Sequence, residues 1–322
     1  MCSQYFRVNV PLPSAEQRRS ALLEQLLARA DSRVSTSDWR TEAFSFISPP
    51  GVAMPPLAAA ALYADRGAVD AAWVCLASPV HYTAEMTRVR LPDDGLLSLA
   101  PAAAETLAAD FNRVWQGAGI SLTAARSGQL FCLFDRPLDA MTRDPREALG
   151  QSIEEYLPAG EGSALLRRLI SETEMWLFEH GVNSARGEAG QTAINGLWFW
   201  GGGAPLAVLP AVLGWVGGDD VFGDAFDARR DPGGRDGGRS GVGVRSGSGG
   251  RSGSGVVAVT AAPGNESWHD IEARWLRPAI AELRGGDLSC LEISIENWRF
   301  TLNSRTLRRF WRRRKPWWEF LV

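Results

Sequence analysis

Two periods alternate along this chain. Leu22, Leu23, Leu26, Leu27 and Ala30 fall on one helical face, and Ser14-Ala-Glu-Gln17 ahead of them has capping-box spacing. Ala71 to Ala77 is a continuous apolar run of strand length, the pattern of a strand covered on both faces. Leu107, Phe111, Val114 and Trp115 mark an amphipathic helix opened by Pro101 and closed before Gly117 and Gly119. Ile120 to Leu122 and Gln129 to Phe134 read as strands. Leu165, Leu166, Leu169, Ile170, Trp176 and Leu177 build another helical stripe. Gly181 ends it, which puts His180 in the last turn and leaves Asn183 and Arg186 on a loop. Leu197-Trp198-Phe199-Trp200 then reads as a short buried strand running into a turn of three glycines, Gly201, Gly202 and Gly203.

Beyond the triplet, Asp219, Asp220, Asp224 and Asp227 form an acidic cluster, expected to be a solvated edge rather than a cation site. Asp231 to Gly255 is almost only Gly, Ser, Arg and Asp, too poor in apolar surface to offset its ordering entropy, and reads as a linker. Strand character returns at Val256 to Val259. Ile271, Trp275, Ala279 and Leu283 give a helix bent by Pro278 and ended by Gly285-Gly286. Leu291 to Ile295 and Trp298 to Leu302 alternate apolar and polar positions about Glu296-Asn297, which predicts a half-exposed hairpin. Ser304 is placed to cap a last basic helix, Arg305 to Lys315, followed by Trp317, Trp318 and Phe320. The order of elements predicts an α/β protein. Its parts are residues 1–71 as the start of the core, 72–158 as an inserted α/β subdomain, 159–230 as core again, 231–255 as linker and 256–322 as the end of the core.

Composition narrows the classes. A chain of 322 residues with 45% hydrophobic and 22% charged residues is a globular protein of one large domain or two ordinary ones. A net charge of −3 gives no global attraction to nucleic acid, so no nucleic-acid partner is expected. Cys75 and Cys132 sit in apolar runs as core thiols, and no CxxC pair occurs. The start of the chain shows no signal peptide, and the apolar run Leu206 to Val216 is short and interrupted by Pro210. A cytoplasmic protein with no transmembrane segment is expected. No GxxxxGK[ST], GxGxxG or HExxH motif is present, and nothing marks a nucleophile.

Candidate chemistry gathers around the helix, loop and glycine triplet. Arg186 carries planar donors that suit phosphate or carboxylate. His180, Asn183 and Asn195 supply further polar groups, and a helix C-terminus would favour protonated His180. Trp198, Trp200 and Gly201 to Gly203 bound the same space, the glycines letting the backbone approach a ligand closely. His81 follows Ser78-Pro79-Val80 just past a strand end, where ligands bind in open α/β sheets. The opposing reading is a self-satisfied junction in which Arg186 pairs with Glu188 or Glu179 and His81 is a structural histidine.

Several stretches carry a resemblance: Ser78-Pro-Val-His81 before Met86-Thr-Arg-Val-Arg-Leu91, Glu179-His-Gly-Val-Asn-Ser-Ala-Arg186, Asn195-Gly-Leu-Trp-Phe-Trp-Gly-Gly-Gly203, and the terminal Arg308-Arg-Phe-Trp-Arg-Arg313. Together they resemble the RpfE-type bacterial regulatory proteins, from about Trp73 onward, with Gly181 and Gly196 where Pro and Ser are expected. The middle of that family is similar to the archaeal-type cofactor-independent phosphoglycerate mutases of the alkaline phosphatase superfamily. The resemblance implies that superfamily's mixed sheet flanked by helices. It implies for an active enzyme two divalent metals held by Asp and His and a Ser or Thr nucleophile. No Asp-Gly metal motif stands near the start of this chain, and Trp268-His269-Asp270 does not match the family's histidine context. A non-catalytic or regulatory relative with no cofactor, binding a small anionic ligand, is therefore expected. The alternatives are a metal-dependent mutase or phosphatase with rearranged ligands, and a protein-interaction module acting through the basic, tryptophan-rich end.

Overall fold

The computed structural model describes residues 5–10, 20–218, 220–226, 255–258 and 268–321. In chain order the elements are β1 (Tyr5–Val10), α1 (Ala21–Arg29), β2 (Asp31–Val34), α2 (Trp39–Ile47), α3 (Leu57–Arg66), β3 (Trp73–Val80), β4 (Thr83–Ala84), β5 (Val89–Leu91), α4 (Pro101–Val114), β6 (Ile120–Ala124) and β7 (Leu130–Phe134). They continue with β8 (Gln151–Ser152), α5 (Ser163–Phe178), α6 (Gly181–Glu188), β9 (Gly196–Gly203), β10 (Trp215–Gly218), α7 (Val221–Phe226), β11 (Gly255–Ala258), α8 (Trp268–Ile271), α9 (Arg277–Gly285), β12 (Cys290–Ile295) and β13 (Trp298–Leu302).

The chain divides into two compact units. Pro55 to Leu209 forms one; the segments before and after it, to Met54 and from Pro210, form the other. Both divisions fall at a proline. The boundaries expected at 72 and 158 are therefore displaced. The reason is β9, which hydrogen-bonds antiparallel to β3 from Val80↔Gly196 to Val74↔Gly203. That pairing draws the aromatic strand, and α5 packed on it, into the inserted unit rather than the core. The α/β class holds, with an inserted α/β unit interrupting a mixed sheet.

The discontinuous unit has six strands in the order β10-β11-β1-β12-β13-β2. β10, β11, β1 and β12 are parallel, and β13 and β2 run antiparallel at one end. Val8, Leu291, Ile293 and Ile295 face a core closed by Leu23, Leu26 and Leu27 of α1 and by Trp275, Leu276 and Leu283. Ser20 caps α1, its hydroxyl accepting from the Leu23 N–H; the Ser14 to Gln17 spacing lies outside the described residues. The helix expected over 271–283 is broken into α8, a π-turn (Glu272–Leu276) and α9. Pro278 has no N–H for a regular i→i−4 bond, which places it in the first turn of α9. Gly286, at φ +90°, closes that helix.

The hairpin falls where the alternation predicts, yet it is not half-exposed. Its polar positions Glu292, Ser294 and Arg299 are buried, as is Arg7 on β1. Glu42 of α2 meets this face. Its Oε2 accepts from Arg7 Nη2 and from Arg299 Nε, each at 2.7 Å, and its Oε1 accepts from the Ser35 hydroxyl. Arg7 Nε lies 3.3 Å from Glu292, and Arg33 reaches both Glu42 and Glu292 at 3.6 and 3.5 Å. Polar alternation normally marks a solvated face; here it marks a charged layer covered by a helix, with Arg33 open to solvent at its edge. Asp220, expected on a solvated acidic edge, is also buried, in a two-toothed pair with Arg40 at 3.0 and 2.9 Å. Asp219 and Asp227 lie outside the described residues, as does the 231–254 part of the linker; Gly255 belongs to β11.

The terminal helix expected from Ser304 does not form. Asn303 accepts from the backbone N–H groups of Arg305 and Thr306, and one turn of 3-10 helix, Thr306–Arg308, follows. This local side-chain turn competes with helix extension. Arg309 donates to the Arg29 carbonyl and Arg312 to the Ala30 carbonyl, capping the open C-terminal end of α1.

The inserted unit has a four-stranded antiparallel sheet, β6-β7-β3-β9. Trp73, Cys75 and Ala77 on one face of β3 pack with Leu107 and Phe111 of α4 and Leu166, Leu169 and Leu177 of α5. α3 packs against β3 and β9. β3 is thus covered on both faces, as its apolar run predicts. Cys75 and Cys132 are paired across β3 and β7 as free, buried thiols, and burial pushes the Cys75 thiol up. Among the described residues no helix is long and apolar enough to cross a membrane.

Glu42 makes acid stability testable. Burial alone would raise its carboxyl; the hydrogen bonds from Ser35, Arg7 and Arg299 outweigh that and bring it from 4.5 down to about 2. A depressed carboxylate stabilises the fold above its unfolded value and loses that contribution as pH falls through its folded value. Between pH 4.5 and 2 the wild type is expected to lose about 3 kcal/mol more than Glu42→Gln in urea-unfolding stability. Parallel pH profiles for the two proteins would show that Glu42 is not the titrating group.

Candidate functional site

Of the residues singled out in the sequence, His81, Asn183, Arg186 and Asn195 meet in the inserted unit. What gathers them is one short return segment, residues 189–195, between α6 and β9.

α5 ends at Phe178, two residues earlier than its glycine suggests. His180 does not close that helix. It opens the next one: its Nδ1 accepts from the Val182 N–H at 3.1 Å as the N-cap of α6. An accepting Nδ1 is unprotonated, so Nε2 carries the hydrogen and points 3.2 Å from Asp110 Oδ2. His180 is thus the cap of α6 rather than a residue of the last turn of α5. Asn183 and Arg186, expected on a loop, lie on α6. Gly181 is thus the first residue of a helix rather than a terminator of one.

The side chains of these elements clamp the return segment residue by residue. Arg186 Nε donates to the Thr192 carbonyl at 2.7 Å. His81 Nδ1 meets the Ala193 carbonyl at 2.9 Å, which makes Nδ1 its donor nitrogen. Asn183 holds both main-chain groups of Ile194, accepting from its N–H at 2.8 Å and donating to its carbonyl at 2.7 Å. Asn183 also donates to the Leu177 carbonyl at 2.8 Å, closing the end of α5. Asn195 accepts from the Tyr82 N–H at 2.6 Å and donates to the Tyr82 carbonyl at 2.8 Å, extending the β3–β9 pairing by one side-chain rung. Four polar side chains therefore hold main chain.

Arg186 differs from the others. Its second contact is Nη1 to the Ser98 carbonyl at 3.2 Å, and among the described residues it faces no carboxylate; the pairing with Glu188 or Glu179 is not formed. It is half-buried, and burial lowers its guanidinium from the ordinary value. Its charge is met by carbonyl dipoles alone, and Nη2 has no partner in the described residues.

The aromatic and glycine residues close on the protein itself. Trp198 donates its indole N–H to the Arg143 carbonyl and Trp200 to the Ser78 hydroxyl, both at 2.8 Å. The guanidinium of Arg146 lies 5.9 Å from the Trp200 ring centroid. The glycine triplet is not a turn but the end of β9. Leu76 pairs with Trp200 and Val74 with Gly203, so three steps on β9 match two on β3. Gly201, at φ +66°, carries this bulge. A Cβ on Gly202 would lie 2.1 Å from the Trp73 ring, and one on Gly203 2.3 Å from Pro56. The close approach is to Trp73 and Pro56.

Asp110, Ser98, Ser78 and Tyr82 complete the arrangement and escape sequence reasoning. Each is ordinary in its local pattern and is recruited only by tertiary contact. Burial pushes the Tyr82 phenol up, and the charge of Glu174 adds to it. His180 and Asp110 line an open cleft of about 370 Å³ with Arg113, Trp176 and Glu179. The ring of His180 stands 4.6 Å from that of Trp176, edge to face.

A two-metal centre does not fit these residues. His180 uses both nitrogens in the cap and the Asp110 contact, Asp220 is engaged by Arg40, and His269 is exposed on α8. Among the described residues no three His, Cys, Asp or Glu side chains converge.

Comparison with known proteins gives partial similarity. No family model matches the chain. It is 38% identical over 66 residues to a 2,3-bisphosphoglycerate-independent phosphoglycerate mutase of Methanosarcina barkeri, a match covering 20% of this chain and 17% of that protein. It is 39% identical over 59 residues to a probable enzyme of the same name from Geobacter sulfurreducens, covering 18% and 15%. The matched stretch is thus less than a fifth of either relative's length. Among solved structures, the cofactor-independent phosphoglycerate mutase of Thermoplasma acidophilum aligns over 93% of this chain and 90% of its own, with 13% identity and a TM-score of 0.36. A Pyrococcus horikoshii protein aligns over 94% and 88%, with 10% identity and a TM-score of 0.38.

The glycine contacts set a test. Gly202→Val is expected to cost on the order of 3 kcal/mol, read as a melting transition about 10 °C lower. Gly187→Ala on α6, where nothing lies within 4 Å, is expected to be neutral or to stabilise by up to ~1 kcal/mol. Equal melts for the two variants would show that Trp73 yields at no cost.

Proposed function

We propose that this chain is a non-catalytic, regulatory relative of the cofactor-independent phosphoglycerate mutases, of the RpfE type, that binds a small phosphorylated or carboxylate anion through Arg186. The partial similarity to phosphoglycerate mutases supports the relationship. The observation that carries the rest is the clamp on residues 189–195. His81, His180, Asn183 and Asn195, the residues most able to move a proton or hold a reacting group, are committed to main-chain atoms. A general base needs a free lone pair within reach of a substrate proton, and His180 has none left. Among the residues of this clamp, Arg186 combines a positive charge, partial exposure and an unused donor edge.

The residues do not suggest a route for phosphoryl transfer. Such transfer depends on cations and donors aimed at the developing charge, and a single guanidinium is a binding group. The competing reading is a metal-dependent mutase or phosphatase with rearranged ligands.

Two measurements separate these readings. With 3-phosphoglycerate at a hundred times its Kd, the wild type is expected to gain about 2.7 kcal/mol of stability. Arg186→Ala is expected to abolish that gain. Without ligand the variant is expected to lose only about 1–3 kcal/mol, since it gives up hydrogen bonds to carbonyls rather than a buried ion pair. Conversion of 3- to 2-phosphoglycerate is expected to be absent with or without Mn²⁺. Metal-dependent turnover would establish the enzyme reading. No thermal shift with phosphoglycerate, phosphate or a dicarboxylate would remove the ligand from the proposal.

A further inference from the structure

The end of the chain carries a second site that the clamp does not involve. Phe310 and Trp311 are 79% and 69% exposed, and Trp318 further along the chain is 42% exposed. Large aromatic side chains this open are uncommon on a surface with no role. They are not loose: the segment is held from both sides. Arg309 and Arg312 bond the carbonyls of Arg29 and Ala30, Arg29 donates to the Leu307 carbonyl at 3.0 Å, and Trp317 is buried in the core. Phe310 and Trp311 stand edge to face on this anchored stretch, ring centroids 5.4 Å apart.

Cations surround them. Arg305, Arg308, Arg313, Arg314 and Lys315 are all exposed, and none meets a carboxylate among the described residues. Asp31, the nearest acid in contact, is taken by Arg309, and Glu319 is exposed. The positive field extends to α1 and α9: burial first, then the charges of Arg284 and Arg314, lower the Arg29 guanidinium. A chain of net charge −3 thus concentrates positive charge around two widely exposed aromatic rings.

We propose that this surface docks on an anionic lipid bilayer, the cations over the headgroups and Phe310 and Trp311 in the interface. Aromatic rings rimmed by Lys and Arg match the headgroup boundary, where apolar burial and attraction to anionic lipid act together. A single-stranded nucleic acid fits less well. It stacks bases on open ring faces, and here the two rings are turned edge to face against each other.

The test uses the full chain and vesicles of phosphatidylcholine alone or with a third phosphatidylglycerol. Co-sedimentation is expected only with the anionic vesicles at 0.1 M salt, falling steeply at 0.5 M. Arg313→Gln, Arg314→Gln and Lys315→Gln together are expected to weaken partitioning on the order of a hundredfold, since each cation near the surface contributes about a fivefold factor. Phe310→Ala with Trp311→Ala is expected to weaken it at least tenfold, because apolar burial contributes beside charge. These side chains are exposed, so an unchanged circular-dichroism melt checks that the variants fold. No association of wild type with anionic vesicles overturns the proposal. So does vesicle binding untouched by the aromatic substitutions while polyuridine binds equally tightly, which would make the surface a general polyanion patch.

Discussion

One half-buried carboxylate sets the terms for the discontinuous unit. Glu42 reaches from α2 onto the sheet face that carries Arg7, Arg33, Glu292 and Arg299. Without it, Arg7 and Arg299 would be buried cations lacking their closest counter-charge, an arrangement that costs several kcal/mol. With it, α2 can lie over a polar surface, and the sheet is covered on both sides although the strands β12 and β13 alternate as if one side were wet. The charges also specify alignment. Arg7 pairs with Glu292 in the β1–β12 register, and Ser294 with Arg299 in the β12–β13 register. A slip of one residue would turn this layer into the hydrocarbon core.

The inserted unit solves a different problem, how to hold an irregular return between a helix and a strand. A segment without ladder hydrogen bonds leaves main-chain donors and acceptors to be met by other groups. Here side chains meet them one at a time, Arg186 at Thr192, His81 at Ala193 and Asn183 at Ile194, while Asn195 ties the segment's end to the main chain of Tyr82. The same residue types would suit an anion site, and the two uses compete for the same lone pairs and hydrogens. Arg186 keeps unused donors because a guanidinium has five and its two carbonyl partners take two.

Much of this architecture could be read in the sequence, for a physical reason. β3, β6, β7, α4, α9 and the β12–β13 turn are places where local pattern and tertiary environment agree. The failures lie where they disagree. Glu292, Ser294 and Arg299 alternate with apolar residues as exposed positions do, and only the arrival of Glu42 from 250 residues away in the chain makes them interior. Gly181 resembles a helix stop, yet His180 offers the next helix a side-chain cap. Arg305 to Lys315 has helical composition, but Asn303 turns the backbone first. Of this junction, the meeting of Asn183, Arg186 and Asn195 was legible. Their partners were not, because main-chain carbonyls at Thr192, Ala193 and Ile194 leave no signature in a sequence.

The topology also imposes an order on synthesis. β1 lies between β11 and β12, pairing residue by residue with Gly255–Ala258 and Cys290–Ile295. On the ribosome those partners do not exist when β1 emerges, so Val8 and Val10 must wait unpaired while the intervening chain is made. The inserted unit has no such debt. All of its strands and helices lie between Pro55 and Leu209, and it can complete its sheet while the outer one still lacks β10, β11, β12 and β13. The wait ends with a long loop closure, which slows folding more than it lowers final stability. During that interval β1 stays a strand without its neighbours.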